Sequence, residues 1–247
     1  MKLTFRIEYR TAWGESIGVM LQGQENSPIM LGTSDGIVWE GSEEMTDAPA
    51  GVPLTYRYGV FLDGQCSRRE SGTMAHIFCP SKKQKSHYIL NDTWKDLPMA
   101  SHLYSAAFSG NYSLENAPKD QCTGQGDIVF RALCPCLHHR KQILGICGRE
   151  EQLGYWNPDR AICMEEIQAN EWVATLPIKD LKFPLEFKFV AINTSTGKVE
   201  EWEMGNNRHL HINDLRKGEI FFTNEMAVQF GSMSRQVGGP AIPVFSP

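Results

Sequence analysis

Aromatic side chains in polar turns are the residues of this sequence best suited to bind a ligand. One turn is Gln152–Ala161, which reads Gln-Leu-Gly-Tyr-Trp-Asn-Pro-Asp-Arg-Ala, and the other is Glu201–Arg208, which reads Glu-Trp-Glu-Met-Gly-Asn-Asn-Arg. A tryptophan in a polar turn either packs on the protein or stacks on a ligand, because its exposure is costly. Flat indole faces suit the C–H faces of sugar rings, and nearby Asn, Glu and Lys side chains can bond hydroxyl groups.

Residue types that would indicate catalysis or metal binding are poorly placed. The acidic pairs are Glu43-Glu44, Glu150-Glu151, Glu165-Glu166 and Glu200-Glu201. Adjacent acids on a strand point to opposite faces, and we expect solvated loops to hold the rest. Cys134-Pro135-Cys136 is one residue too tight for the usual zinc knuckle. The seven cysteines are odd in number and irregular in spacing, unlike a secreted disulfide framework. We therefore predict no catalytic residues, no metal and no cofactor in this chain.

Composition and charge limit the class of ligand. The 247 residues carry a net charge of −5, so no basic surface is indicated for nucleic acid or an anionic membrane. No stretch approaches the roughly 18–20 apolar residues that span a bilayer. The start, Met1–Tyr9, alternates apolar and polar residues, which predicts a strand rather than a signal peptide. We expect a cytoplasmic protein, and a neutral ligand such as an uncharged sugar is fully compatible with this charge.

Short period-two stretches with frequent turns predict an all-β fold. Leu54–Leu62 before Asp63-Gly64, and Phe187–Ile192 before Asn193–Gly197, read as β-hairpins. Sustained helical periodicity is nearly missing from the sequence. Many short strands at close spacing indicate a β-sandwich or barrel.

The hairpins and their surroundings also match each other. Pro53–Tyr58 parallels Pro184–Phe189 at an offset of 131, while Trp39-Glu40 and Trp172-Val173 are offset by 133. Glu70-Ser71-Gly72 and Glu203-Met204-Gly205 share that offset of 133. We predict a tandem duplication that gives two Ig-like antiparallel β-sandwiches. The predicted division is domain 1 over 1–98, a linker over 99–125, domain 2 over 126–226 and a tail over 227–247.

Domain 2 resembles a family 20 carbohydrate-binding module, the starch-binding domain. Four groups of residues carry the resemblance in the family's order: Leu153-Gly154-x-Trp156-x-Pro158-x-x-Ala161-x-x-Met164, Trp172 before Leu176-Pro177, Glu186-Phe187-Lys188-Phe189, and Trp202-Glu203-x-x-x-Asn207-Arg208. The resemblance implies an open-sided β-sandwich that binds α-1,4-glucan.

The resemblance also implies particular site residues. The principal family site falls on Trp156, Trp202, Lys188 and Asn207, with Glu203 beside them, whereas Trp172 matches a tryptophan that supports the core. Each has an alternative: the two tryptophans could be buried, Lys188 could extend to solvent, and Asn207 could only shape its turn.

Domain 1 resembles the same family but has lost parts of the pattern. No Leu-Gly-x-Trp follows Met20-Leu21, and Arg69 stands where the second tryptophan should be, so we expect the principal site to be missing. Trp13 falls on the first aromatic residue of a second family site and is a candidate second site. Its alternative is a packing residue at a strand edge.

Tandem modules of this kind resemble the amino-terminal part of a disproportionating 4-α-glucanotransferase of glycoside hydrolase family 77. Asp92-Thr93-Trp94 and Leu103–Phe108 look like the stretch between its modules, and Val237–Ser246 looks like the opening of its catalytic barrel. The resemblance implies a non-catalytic glucan-binding fragment whose partners are α-glucan and a C-terminal catalytic domain. The rival hypothesis is a structural or interaction module that packs on a partner domain and binds no sugar.

Overall fold

The structure is a computed structural model. The residues it describes are 1–45, 52–70, 75–80, 87–95, 127–134, 137, 141–168, 170–179, 181–212, 215–216 and 218–231. The predicted linker, including Leu103–Phe108, and the tail from residue 232 onward lie outside these ranges. Among the described residues, no helix is long and apolar enough to cross a membrane.

Two sets of nine strands make up the described fold. The first set is β1 (Lys2–Glu8), β2 (Glu15–Leu21), β3 (Ile29–Met30), β4 (Gly32–Thr33), β5 (Val38–Glu44), β6 (Leu54–Leu62), β7 (Gln65–Arg69), β8 (His76–Phe78) and β9 (His87–Thr93). The second set is β10 (Asp127–Leu133), β11 (Gln142–Gly148), β12 (Ile162–Cys163), β13 (Glu165–Gln168), β14 (Glu171–Pro177), β15 (Leu185–Asn193), β16 (Val199–Trp202), β17 (Arg208–Leu210) and β18 (Glu219–Ala227). Short 3-10 helices at Glu151–Leu153 and Pro158–Arg160 lie between β11 and β12.

Each set folds into a sandwich with the same connections. In the first, β1 pairs with β5 antiparallel and β9 parallel, and the facing sheet has the order β3-β2-β6-β7 with β8 also on β6. In the second, β10 pairs with β14 antiparallel and β18 parallel, and the facing sheet has the order β12-β11-β15-β16 with β17 also on β15. The predicted all-β fold of two sandwiches is thereby confirmed.

The two sandwiches share one continuous sheet, which the sequence did not predict. Strands β9 and β18 pair in parallel, so the order is β13-β14-β10-β18-β9-β1-β5-β4. This order is symmetric about its centre, because β18 and β9, β10 and β1, β14 and β5, and β13 and β4 occupy equivalent positions on the two sides. The pairing covers an edge of each sandwich that would otherwise expose unpaired backbone groups.

The register of this pairing puts the two cores on opposite faces of the shared sheet. Tyr88 and Leu90 of β9 belong to the first core, whereas Ile89 between them packs against the second. Likewise Phe222 of β18 belongs to the first core and its neighbour Phe221 to the second. Successive side chains of a strand alternate between faces, so both strands are apolar on both sides.

A buried ionic cluster fastens the sandwiches beside this strand pair. Arg131 of β10 donates a hydrogen bond to the Asp92 carboxylate of β9 at 2.8 Å and another to the Asn91 carbonyl at 2.7 Å. Lys95 pairs with Glu225 of β18 at 2.9 Å. Tyr56 also donates to Asp92, at 2.6 Å. Breaking one partner of such a buried pair leaves an uncompensated charge, so the cluster couples the two sandwiches.

The first residues of the predicted tail pack on the second sandwich. Val228 and Phe230 are buried in its core, and Phe230 forms an isolated bridge with Glu203. The predicted boundary at residue 226 falls inside β18, one residue before that strand ends.

We expect Asp92 to make stability depend on pH below 4. Burial opposes its ionisation, but the charges of His76 and Arg131 lower its pKa from 3.8 to about 2. Because the folded pKa is below the unfolded one, Asp92 contributes about 2 kcal/mol above pH 4, which is lost as the pH falls towards 2. Urea unfolding of the wild type and Asp92→Asn between pH 6 and pH 2 measures this contribution.

The control for this prediction is Asp63→Asn, which removes an exposed carboxylate in the β6–β7 turn. Its pH profile should run parallel to that of the wild type, whereas the profile of Asp92→Asn should be flatter below pH 4. Parallel profiles for all three proteins would contradict the assignment.

Candidate functional site

Trp156 and Trp202, which are far apart in sequence, lie side by side at one end of the second sandwich. Their ring centroids are 6.2 Å apart and the ring planes are inclined at 42°. Both side chains are half-buried, so each indole keeps part of its surface open to solvent. We call this pair the Trp platform.

The turn that carries Trp156 has an unusual backbone. Gly154, Tyr155 and Trp156 have φ angles of 84°, 52° and 59°, so three consecutive residues are left-handed. A Cβ at Gly154 would lie 2.6 Å from the Arg160 carbonyl oxygen, so only glycine fits there. The Trp156 N–H donates to the Gly148 carbonyl at 2.7 Å, which ties the turn to β11. Non-glycine residues in this region carry strain, which is typical of functional sites.

Lys188 supports the opposite turn. Its Nζ donates to the carbonyl oxygens of Glu203 at 3.0 Å and Gly205 at 2.6 Å. Both carbonyls belong to the turn that follows Trp202, so the ammonium group of β15 holds this turn in place.

Glu203, the residue after Trp202, is buried. The side chain is 4% exposed, and its carboxylate accepts from the Phe189 N–H at 2.9 Å and forms an ion pair with Arg208 at 2.8 Å. Neighbouring side chains of an extended chain alternate, so a half-exposed Trp202 implies an inward Glu203. The predicted sugar contact of Glu203 stays a prediction, and the observed contacts are those of a group that positions the turn.

Asn207 lies at the rim of the same turn. Its Nδ2 donates to Glu186 Oε1 at 2.6 Å, which fixes the amide plane. Within the described part of the chain, its side-chain oxygen accepts no hydrogen bond. That oxygen is available to a ligand hydroxyl group.

Tyr155 is an aromatic residue of this region for which no site role was predicted. Tyr155 is 58% exposed, and the Arg160 guanidinium lies 5.9 Å from its ring centroid. The signal was its position inside the Leu-Gly-x-Trp pattern. Trp172, in contrast, is 3% exposed and lies in the second core, which confirms its predicted packing role.

The first sandwich repeats the support of this site without its aromatic rings. Glu70 accepts from the Tyr58 N–H at 2.8 Å, as Glu203 accepts from the Phe189 N–H. Its carboxylate also lies 2.9 Å from His76 Nε2, which takes the place that Arg208 has beside Glu203. The preceding Arg69 is exposed and offers no aromatic face.

Trp13 lies on the turn before β2 and is fully exposed, with a relative accessibility of 103%. Its side chain therefore does not pack at the strand edge, which was the alternative weighed from the sequence. Its role as a second site stays a prediction.

No group of three His, Cys, Asp or Glu side chains in the described ranges could hold a metal ion. Gly14-Glu15-Ser16-Ile17-Gly18 has the Gly-x-Ser-x-Gly spacing of hydrolase nucleophiles, a match that our sequence reasoning missed. It runs from a turn into β2 rather than across a strand-to-helix turn, and Ser16 Oγ lies 3.4 Å from the Phe61 carbonyl.

The region around the Trp platform matches a known domain family. Residues 127–221 match the family described as the starch binding domain. This match covers β10 to the start of β18, and it confirms the resemblance drawn from the Leu-Gly-x-Trp and Trp-Glu patterns.

A relative similar to the whole chain is the 4-alpha-glucanotransferase DPE2 of Oryza sativa subsp. japonica. The identity is 25% over 99% of this chain. The chain spans only 27% of the length of that relative.

Two solved structures overlap part of the chain. The family 20 carbohydrate-binding module of a maltotetraose-forming amylase from Pseudomonas saccharophila is 19% identical, covering 39% of this chain and 99% of that one with a TM-score of 0.32. A family 15 glucoamylase from Hypocrea jecorina is 17% identical, covering 44% of this chain and 18% of that one with a TM-score of 0.34.

Replacing Glu203 by Gln should lower stability, because Arg208 would lose its charged partner while staying partly buried. Hydrogen bonds to charged groups contribute about 1.5–3 kcal/mol, so we expect a loss of that order in urea unfolding. Glu44→Gln, a change of the same type at an exposed position of β5, should stay within about 0.5 kcal/mol of the wild type. Equal stabilities of the two variants would show that Glu203 does not support the turn.

Proposed function

We propose that this chain binds α-1,4-glucan on the Trp platform. The observation that carries the proposal is the pair of half-exposed indoles, 6.2 Å apart, inside the region that matches the starch binding domain family. Aromatic faces stack on the apolar faces of sugar rings. Two rings inclined at 42° suit consecutive units of a curved chain better than a flat, straight one.

The proposed roles of the other site residues follow from their contacts. Asn207 offers its amide oxygen to a sugar hydroxyl group, with its amide nitrogen held by Glu186. Lys188 is already bonded to two carbonyls of the Trp202 turn, so it orients the platform and can share a remaining donor with a hydroxyl group. Glu203 positions the Trp202 turn through its ion pair with Arg208 and the hydrogen bond it accepts from the Phe189 N–H.

We also propose that the chain is the non-catalytic amino-terminal part of a cytoplasmic 4-α-glucanotransferase. The similarity to the rice 4-alpha-glucanotransferase DPE2 over 99% of this chain supports this assignment. In this proposal a catalytic domain follows the tail and transfers segments of the glucan that the Trp platform holds.

The matching connections of the two strand sets support a tandem duplication within this part. In the proposed division, the two modules are joined by the linker over 99–125, and the second module extends to residue 231 because Phe230 is part of its core.

The alternative is a structural module that packs on a partner through its aromatic residues and binds no sugar. A titration of tryptophan fluorescence with maltoheptaose separates the two hypotheses. Quenching that saturates supports sugar binding, and an unchanged spectrum supports the alternative.

Replacing Trp156 or Trp202 by Ala should remove most of the glucan affinity and leave the melting temperature nearly unchanged. Truncation of a central aromatic residue in a binding site typically costs about 2 kcal/mol or more of binding free energy, which is roughly a thirtyfold loss of affinity. Calorimetric titration with maltoheptaose and thermal unfolding of the same samples measure both quantities.

The matched control is Trp172→Ala, because Trp172 is buried in the same sandwich. Large-to-small core substitutions of this type cost about 3–5 kcal/mol of stability. If Trp156→Ala and Trp202→Ala lowered the melting temperature as much as Trp172→Ala does, the platform would be part of the core and the proposal would fail.

Trp13→Ala tests the proposed second site in the complete chain. The indole is fully exposed, so its removal should not destabilise the fold. We expect a smaller loss of maltoheptaose affinity than at Trp156, because no second aromatic ring stands within stacking distance of Trp13 among the described residues. A loss as large as that of Trp156→Ala would show that the first module carries an equal share of the binding.

A further inference from the structure

A cleft of about 620 Å³ lies where the second sandwich meets the shared sheet. Its floor is the outer face of the first module's half of the sheet, formed by side chains of β1, β5 and β9. Its wall belongs to the second module and is formed by Leu210–Ile212 with Leu215 and Arg216. The volume is within the range of about 300–1,000 Å³ typical of ligand sites.

The opposite junction, on the other face of the sheet, is closed. There the space beside Arg131 and Glu225 measures only about 10 Å³. Arg131 fills it by bonding to Asp92 and to backbone carbonyls. The counterpart of Arg131 in the first module is Arg6. Arg131 precedes Ala132, which pairs with the buried Trp172, and Arg6 precedes Ile7, which pairs with the buried Trp39. Arg6 has Asn91 beside it on β9 instead of a carboxylate, so among the described residues no counterpart of the Arg131–Asp92 ion pair closes this cleft.

One half of the cleft floor is pre-organised. Ser42 Oγ lies 2.7 Å from Thr4 Oγ1, which lies 2.6 Å from His87 Nε2. His87 Nδ1 lies 3.0 Å from Glu219 Oε1. This chain of four side chains crosses from β5 to β18 and fixes where each polar atom points, which lowers the entropic cost of binding.

The other half of the floor has hydrogen-bonding capacity to spare. Within the described ranges, the side chains of Arg6, Glu40 and Asn91 make no hydrogen bond or ion pair to each other or to other residues. They lie in one row across β5, β1 and β9, because Arg6 pairs with both Glu40 and Asn91. A guanidinium, a carboxylate and an amide in a row offer donors and acceptors to neighbouring hydroxyl groups.

The charge and the walls of the cleft favour a neutral ligand with apolar faces. Three cationic and three anionic side chains line it, so their formal charges cancel: Lys2, Arg6, Arg216, Glu8, Glu40 and Glu219. An isolated phosphate or carboxylate would meet as many like as opposite charges. Ile89, Leu210, Ile212, Leu215 and Phe221 supply apolar surface between these groups.

We infer that this cleft is a second binding site for a segment of α-1,4-glucan, separate from the Trp platform and built without aromatic stacking. The choice of ligand rests on the proposed function of the chain. The site itself rests on the open junction, the fixed Ser42–Glu219 chain and the row of polar side chains that have no partner within the described ranges. Each hydrogen bond to a sugar hydroxyl group replaces one to water and therefore contributes little net binding free energy. The cleft consequently binds glucan more weakly than the Trp platform does.

The test uses the complete chain with Trp13, Trp156 and Trp202 all replaced by Ala, titrated with maltoheptaose and followed by ¹⁵N–¹H correlation spectra. We expect saturable shifts of the His87, Asn91 and Leu210 amides. In this background Arg6→Ala should weaken the response about fivefold, as for the loss of one net hydrogen bond. Ser42→Tyr, which fills the cleft from an exposed position, should abolish it. Arg10→Ala, an exposed arginine outside the cleft, should leave it unchanged.

The outcomes separate the cleft from the platform. If the wild type responds at Trp156 and Trp202 but the triple variant shows no response at the cleft amides, the cleft inference is overturned and the proposed function stands. If Arg6→Ala and Ser42→Tyr leave the response of the cleft amides as large as it is in the triple variant, the inference is also overturned. If the wild type responds at neither place, the proposed function itself fails.

Discussion

The parallel pairing of β9 with β18 is the constraint on which the rest of this structure depends. In register, Tyr88 pairs with Ile220 and Ile89 with Phe221, so each strand sends alternate side chains into two different cores. A shift of one residue would move every side chain of one strand to the other face and expose large apolar groups on both sides. The register therefore fixes the orientation of one module relative to the other, and it leaves one junction open as a cleft and the opposite junction closed.

The Trp platform depends on supports that are themselves buried or strained. Gly154 allows the left-handed turn of Trp156, while Lys188 and Glu203 hold the turn of Trp202 from two sides. The first module keeps the equivalent support in Glu70 and His76 but has Arg69 in the position of the second tryptophan. The support and the aromatic pair are thus separable features of this fold, because the support is present in the first module, where Arg69 takes the place of the second tryptophan.

Much of the fold and of the Trp platform could be predicted from the sequence, because the strands and the two turns depend on residues that are close together in the chain. Alternation predicted the strands, and the polar turns around Trp156 and Trp202 favoured rings that meet a ligand over rings buried in the core. The inward position of Glu203 was also predictable, since it follows an outward Trp202 in an extended stretch. The shared sheet was missed because the pairing of β9 with β18 joins residues 132 positions apart. A signal existed in Tyr88–Leu90 and Ile220–Phe222, whose unbroken apolar runs are typical of strands buried on both faces.

The short segment after β18 has a mechanical consequence. Met204 donates its N–H to the Gln229 carbonyl at 2.9 Å, Glu203 bridges to Phe230, and Arg208 reaches the Ala227 carbonyl at 2.6 Å. These bonds attach the exit of the polypeptide to the very turn that presents Trp202. Tension applied beyond residue 231 would load that turn before it reached the rest of the sandwich, so a pull on the chain would first disturb the spacing between Trp156 and Trp202.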